Sequence, residues 1–343
     1  MKTLSLVVPV YNTESYLRRC LDSVLLEEIA GELEVIAVND GSTDGSLSIL
    51  REYQARYPEM LILIDKENGG HGSAVNAGLQ AASGRYFRVL DSDDWFDSPG
   101  FLRYMELLPA FREDLIVTPY SQEYTWSGTE IRHDYPWLKN EQIYTMDGID
   151  WREDMDYFCL ASSTWRTQLL RESGLRLSEN CSYVDMEYNL WPIPLVNRFR
   201  FLDIPIYRYF LGRPEQSMDP ALMLRQTPMH QKVLCRLIEY YAGQPASLSV
   251  GKKRYMQLLI YHMLHTHIRL LCIESLDRRR AFREIRTLDA WIRSRSPEIY
   301  ALGEYIPLLK LSRILGYRNV LLPGRRAVKL LAELRPRKGA ALP

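Results

Sequence analysis

The first hundred residues switch between two hydrophobic periods, and that switching restricts the chain to a narrow set of folds. "LSLVVPV" (4–10), "LEVIAVN" (33–39), "LILID" (61–65) and "YFRVL" (86–90) are short, apolar and rich in β-branched residues, as strands buried on both faces tend to be. Between them Tyr16, Leu17, Cys20, Leu21, Val24 and Leu25 recur at helical spacing, as do Leu47, Leu50, Tyr53 and Tyr57. A Gly-rich loop, Asn68 to Gly72, precedes a third helical stretch through Val75 and Leu79. Strands alternating with helices predict βαβ units, hence a parallel sheet covered on both faces. Such sheets bind ligands beyond the carboxyl ends of their strands. Tyr11–Asn12, Asp40 and Asp91–Asp93 all fall at such ends, so the pattern predicts one polar rim.

Charge and composition exclude several classes. Lys and Arg number 43 and Asp and Glu 43, which gives no net field for bulk nucleic-acid binding. A chain that is 46% hydrophobic and 25% charged is globular rather than disordered. Five scattered cysteines without CxxC spacing read as reduced thiols of a cytosolic protein. The apolar start "MKTLSLVVPVYN" is too short for a signal-peptide core. No apolar run approaches the roughly 18 residues of a spanning helix. "LLIYHMLHTHIRLLCI" (258–273) carries three histidines and an arginine and reads as a soluble or surface-lying helix. Its His262, His265 and His267 do not share one helical face, so they read as core or surface residues rather than metal ligands.

Beyond residue 100 the organisation changes. Residues 101–220 are mixed and aromatic, and 221–300 are mainly helical. Residues 308–338 hold nine Lys or Arg against the single acid Glu333, interleaved with Leu, Ile and Val. That pattern predicts an amphipathic contact with an anionic membrane surface, peripheral and at its inner face.

The stretch "RYFRVLDSDDWFD" (85–97) places Asp91, Asp93 and Asp94 directly after a predicted buried strand. In an extended chain positions i and i+2 face one side, so Asp91 and Asp93 share a target. A hard cation, Mg²⁺ or Mn²⁺, bridging a diphosphate would relieve their repulsion. The place where a dinucleotide fold carries GxGxxG holds "PVYNTES" instead, and the P-loop pattern is absent.

"VVPVYNTESYLRRCLDSVL", "VIAVNDGSTDGS" and "KENGGHGSAVNAGLQAASGRYFRVLDSDD", in this order, resemble the family 2 glycosyltransferases of the GT-A fold. The resemblance implies a Rossmann-like mixed sheet flanked by helices over residues 1–220. Residues 1–100 would be the nucleotide-binding half and 101–220 the acceptor half, with 221–343 a helical C-terminal region. It implies an inverting, metal-dependent transferase that takes a nucleotide-sugar, UDP-linked, as donor. The acceptor would be a surface polysaccharide or lipid-linked glycan. Asp40 would accept from the uracil ring with Tyr11 near the base, and Pro9, Asn12, Gly70, Asn76 and Ser92 would line the donor site. Asp91 would sit nearer the ribose and Asp93 nearer the metal, with Asp94 an open alternative for the metal contact. "STWRTQLLRESGLRLSENCSYVDMEYNL" (163–190) resembles the segment that carries the general base. The family usually shows Glu-Asp there; this chain has Val184–Asp185, which makes Asp185 the candidate base. "YRYFLGRPEQSM" (207–218) is similar to a segment that closes over the diphosphate, through Arg213, Gln216 and Ser217. Val75 stands where relatives often carry a basic residue, and His71 reads as decoration of the loop. Two alternatives stay open: a non-catalytic nucleotide-sugar-binding scaffold, and a sugar nucleotidyltransferase.

Overall fold

The computed structural model describes residues 2–124, 127–212, 220–275 and 277–317. Arg213, Gln216, Ser217 and residues 318–338 of the basic tail lie outside the described residues. The chain divides into two compact units, Met1–Thr145 with Phe158–Pro214, and Met146–Tyr157 with Glu215–Pro343.

The first unit is the α/β one. Its strands are β1 (Leu4–Val10), β2 (Leu33–Asp40), β3 (Leu61–Lys66), β4 (Tyr86–Val89), β5 (Trp95–Phe96), β6 (Leu115–Val117), β7 (Tyr120–Tyr124), β8 (Thr129–His133), β9 (Ile143–Tyr144), β10 (Ser163–Arg166), β11 (Phe199–Phe201) and β12 (Tyr207–Leu211). The helices are α1 (Glu14–Asp22), α2 (Ser46–Arg56), α3 (His71–Ala81), α4 (Ser98–Leu107), α5 (Thr167–Glu172) and α6 (Asp185–Leu190). Among the described residues, one sheet runs β3-β2-β1-β4-β10-β6-β11-β9 and a smaller one β5-β12-β7-β8. The first four strands of the large sheet pair in parallel, as the βαβ pattern requires. β10 then runs antiparallel to both β4 and β6, so the sheet is mixed.

Every residue of β1 and β2 is buried, which explains their continuous apolar sequences. Two charged groups share that interior. Glu34 on β2 accepts from the Ser5 hydroxyl at 2.5 Å, the Ser83 amide at 2.6 Å and the Ser83 hydroxyl at 2.7 Å. It thus ties β1 and β2 to the turn before β4. Arg88 on β4 is fully buried and donates to the Thr164 hydroxyl at 2.8 Å and to the Ala161 carbonyl.

Helix α3 lies directly on β1 because Gly78 has no side chain. A Cβ there would stand 2.5 Å from Val7 Cγ1, well inside van der Waals contact. One and a half turns earlier, a Cβ on Gly72 would stand 2.3 Å from the Ser178 carbonyl oxygen. Glycine in a helix interior costs about 1 kcal/mol relative to alanine; here it lets α3 pack close to the sheet and to the chain leading into α6.

The second unit contains α7 (Pro220–Arg225), α8 (Thr227–Ala242), α9 (Val250–Arg269), α10 (Arg278–Arg295), α11 (Pro297–Leu302) and α12 (Pro307–Ile314). The sequence places 146–157 in the acceptor half, but this segment packs with the helices. Trp151 is buried edge-on against Tyr255 of α9 at 4.6 Å. The amide of Gly251 donates to Asp147 at 2.7 Å, and His262 bonds the Met155 carbonyl at 2.8 Å. Among the described residues no helix is long and apolar enough to cross a membrane.

His230 of α8 and His267 of α9 stack at 5.2 Å inside this unit. Burial lowers their pKa values to about 4 and about 3, below the ordinary value near 6.5. As pH falls through 6.5 the unfolded chain takes up protons that the folded pair refuses, so folding loses stability. The loss approaches about 1.4 kcal/mol per histidine for each pH unit below 6.5. The helical unit should therefore melt at lower temperature at pH 5 than at pH 7. His267→Phe should flatten that dependence in a calorimetric pH series.

Candidate functional site

The acidic stretch after β4 is a turn rather than a continued strand. The Asp94 amide closes it on the Asp91 carbonyl at 2.9 Å. The i, i+2 alternation expected for Asp91 and Asp93 therefore does not apply, because the backbone reverses there. Asp93 and Asp94 are both buried, and Asp91 is partly exposed. Asp94 is buried and accepts from the Tyr207 hydroxyl at 2.6 Å and the Phe210 amide at 2.8 Å, both on β12. Burial, then the charges of Asp93 and Asp91, push its pKa well above the usual carboxylate range. Asp94 is thus a clamp between the turn and the small sheet.

Asp93 is supported from behind. Arg19 of α1 donates to its carbonyl at 3.4 Å while its guanidinium lies 3.6 Å from the Trp95 ring centre and 4.5 Å from that of Phe210. Asp91 faces outward, 35% exposed, and its Oδ1 lies 2.8 Å from Nε2 of His71, equally exposed. Burial opposes a charged imidazole there. The hydrogen bond to Asp91 and the charges of Asp91, Asp185 and Asp93 outweigh it and raise the pKa of His71. Nothing in the residues around His71 points to this partnership. His71 stands at the first position of α3, and the close packing at Gly78 carries that helix end to the rim.

Asp185 begins α6 and lies within electrostatic reach of His71 and Asp91. Burial raises its pKa, with Asp91 adding and His71 subtracting. Glu187, two residues on, is fully buried and accepts from the Ser178 amide at 2.7 Å and hydroxyl at 2.8 Å. It holds the approach to α6 and does not face the rim.

At the end of β2, Asp40 is almost fully buried. Its Oδ1 accepts from Lys66 Nζ at 2.6 Å and the Gly69 amide at 3.0 Å, and its Oδ2 from the Gly70 amide at 2.7 Å. Lys66 is the register partner of Asp40 across β2 and β3. Gly70 has φ +82°, and a Cβ there would approach the Asn180 amide to 3.2 Å. Asn76 bonds both backbone groups of Leu177, at 3.0 and 2.9 Å, so its amide joins α3 to the chain before α6. Pro9 is buried within β1. Tyr11 is 50% exposed at the end of that strand. Asn12, at φ +51°, accepts from the Thr43 amide at 2.8 Å. Ser92 is buried and accepts from the Thr13 hydroxyl at 3.0 Å.

Residues 5–165 match the family described as Glycosyl transferase family 2. The chain carries a family 2 glycosyltransferase domain. The glycosyltransferase GlyA of Streptococcus pneumoniae is 37% identical over 117 residues, covering 34% of this chain and 16% of that one. The teichoic acid poly(glycerol phosphate) polymerase of Staphylococcus epidermidis is 30% identical over 214 residues, covering 60% of this chain and 28% of that one. The chain spans between 16 and 60% of the length of the first curated relatives it matches. Among solved structures, S. aureus TarS 1–349 in complex with UDP-GlcNAc superposes with TM-score 0.68 at 20% identity, over 96% of this chain and 91% of that one. The fold is of the GT-A type with a helical C-terminal region.

For this transferase domain the Asp94 clamp makes a direct prediction. Tyr207→Phe removes the hydroxyl that donates to Asp94 and accepts from the Asp91 amide at 3.3 Å. It should lower unfolding stability by about 1–3 kcal/mol, the cost of leaving a buried acceptor unpaired. Urea denaturation would show it.

Proposed function

We propose that the chain is an inverting glycosyltransferase that moves a sugar from a UDP-linked donor to an acceptor hydroxyl. The observation that carries this reading is the shared rim: Asp91 lies 2.8 Å from His71, and Asp185 and Asp93 lie within electrostatic reach of the same imidazole. A base and a diphosphate socket within reach of one another are what a single displacement at an anomeric carbon needs. A non-catalytic binder would have no use for Asp185 at this position, and a nucleotidyltransferase none for a base beside the sugar.

Asp91 and Asp93 suit a hard divalent cation, Mg²⁺ or Mn²⁺. Among the described residues no group of three or more His, Cys, Asp or Glu side chains is arranged to hold a metal by itself. Two carboxylates completed by diphosphate oxygens and water fit the habit of such ions. A bound cation would neutralise charge growing on the departing diphosphate. His71 fixes one oxygen of Asp91 and so sets the direction of the other. Asp185 accepts the proton of the acceptor hydroxyl as that oxygen attacks, and the upward shift imposed by burial strengthens it as a base.

The base of the nucleotide is read at Asp40 and Lys66. A carboxylate offers about four lone-pair sites, and three on Asp40 are occupied by Lys66, Gly69 and Gly70. The fourth can accept a ring N–H. Lys66 has three donors and spends two, on Asp40 and the Glu67 carbonyl. The remaining acceptor and donor stand side by side and match the N3–H and a flanking carbonyl of uracil. Cytosine would present an acceptor to Asp40 and leave the pair unsatisfied. Tyr11 is exposed to stack on the ring. The acceptor we assign to the class of surface polysaccharides and lipid-linked glycans, supported by the relative named for teichoic acid synthesis.

Four measurements test the reading. Asp185→Asn should reduce transfer by at least about 100-fold while UDP affinity changes little. Glu187→Gln should lower stability first, since that carboxylate holds Ser178. Calorimetry with UDP and Mn²⁺ should show affinity that drops with EDTA and with Asp93→Ala; equal affinity in all three cases would remove the metal socket. Lys66→Met should weaken UDP by roughly 10-fold, the value of one charge-assisted hydrogen bond, and narrow the preference of UDP over CDP. Transfer that survives Asp185→Asn unchanged would place the base elsewhere.

A further inference from the structure

The chain is neutral as a whole, but its charge is not shared evenly. Residues 146–157 with 215–343 contain 24 Lys and Arg against 15 Asp and Glu, leaving 19 against 28 in the α/β unit. Among the described residues the excess concentrates on α10, "RRRAFREIRTLDAWIRSR". Arg279, Arg283, Arg286 and Arg293 follow one another at helical spacing and are all exposed. They form one stripe about 21 Å long at 1.5 Å per residue. The other side of the helix buries Ala281, Ile285, Leu288 and Ile292.

Neighbouring acids are already engaged. Glu284 pairs with Arg280, Asp289 with Arg313, and Glu304 with Arg313 and Lys310. Three arginines of the stripe, Arg279, Arg283 and Arg286, line a cavity of about 220 Å³ with Phe282 and Tyr317. Three guanidiniums around an aromatic wall make a receptor for a phosphate group, since arginine matches phosphate oxygens with paired donors.

We propose that this arginine face of α10 docks the protein on a lipid bilayer bearing anionic phosphate head groups. The chain's own continuation cannot be the occupant. Residues 318–343 add seven Lys or Arg against Glu333, so they carry the same sign as the stripe and repel it. They begin immediately after Tyr317, on the wall of the cavity, and their Leu, Ile and Val content suits the same partner. Ile314, three residues before Tyr317, is 71% exposed. Exposed arginines around a phosphate-sized hollow, with an exposed isoleucine in the same unit, fit a bilayer, which offers head-group phosphates and an apolar layer together; a soluble polyanion offers only the first. The sequence assigned the membrane contact to 308–338. Within that segment Lys310 and Arg313 are consumed by Glu304 and Asp289, so the described charge that faces outward comes from α10.

The inference goes beyond sugar transfer and is read without it. Full-length protein is cosedimented with vesicles of phosphatidylcholine alone and with 30% phosphatidylglycerol (about that fraction gives a physiological surface potential). Binding is expected to require phosphatidylglycerol, to weaken with salt, and to fall by roughly 100-fold in the triple variant Arg279→Gln, Arg283→Gln, Arg286→Gln, at about 5-fold per arginine. Because these side chains are exposed, the variant should melt as the parent does and keep its donor affinity. A second full-length variant, Arg325→Gln, Arg326→Gln, Lys329→Gln, should weaken binding further without abolishing the dependence on the stripe. The proposal is overturned if the triple α10 variant binds vesicles as the parent does, or if the parent binds phosphatidylcholine equally well. It is also overturned if a soluble poly(glycerol phosphate) binds the stripe while vesicles do not.

Discussion

Much of this molecule depends on one buried carboxylate. Asp94, held by a hydroxyl and an amide of β12, ends β4 in a closed turn and ties the large sheet to the small one. Without that anchor, three acids in sequence would spread towards solvent to reduce their repulsion. With it, one acid is committed to structure, and the turn that carries the other two is fixed at the end of β4. The cation–aromatic stack of Arg19 on Trp95 and Phe210 supports the same turn from the other side, at a strength of about 1–2 kcal/mol for partly desolvated pairs.

The rim is an electrostatic balance rather than a uniformly acidic hollow. Asp40 is offset by Lys66, Asp91 by His71, and Asp185 feels both His71 and Asp91. Each acid that must meet a ligand keeps part of its capacity, because its protein partner takes only some of its lone pairs. Glu34, Asp94 and Glu187 are likewise held by at least two donors apiece, and each of them ties one element to another.

The parallel core was legible from the sequence because β1 and β2 are buried on every side, so each residue in them had to be apolar or paired. The strand ends were legible for the same reason, and Tyr11, Asp40 and Asp91 mark them. Two things were not. The turn at 91–94 looks extended from its own residues, since the groups that close it, Tyr207 and Phe210, come more than a hundred positions later. His71 looks like loop decoration because its partner is brought to it by α3 packing on β1, which rests on Gly78 having no side chain. Local periodicity reports burial; it does not report which distant atoms meet. The segment 146–157 was misplaced on the same account, because its anchor, Trp151, finds Tyr255 only after folding.

That last contact has a consequence for how the chain is made. Neither unit is a contiguous length of polypeptide, since the chain leaves the α/β unit after Thr145, returns at Phe158 and leaves again after Pro214. Asp147 waits for Gly251, 104 residues later, before the helical unit can enclose it. At about 5–20 residues per second of synthesis, the wait is on the order of 5–20 s. Throughout it Trp151 and Met155 have no core to enter, while the flanking strands are already able to pair. The nascent protein therefore carries a transient apolar loop that a chaperone can hold, until the helices that enclose it have been made.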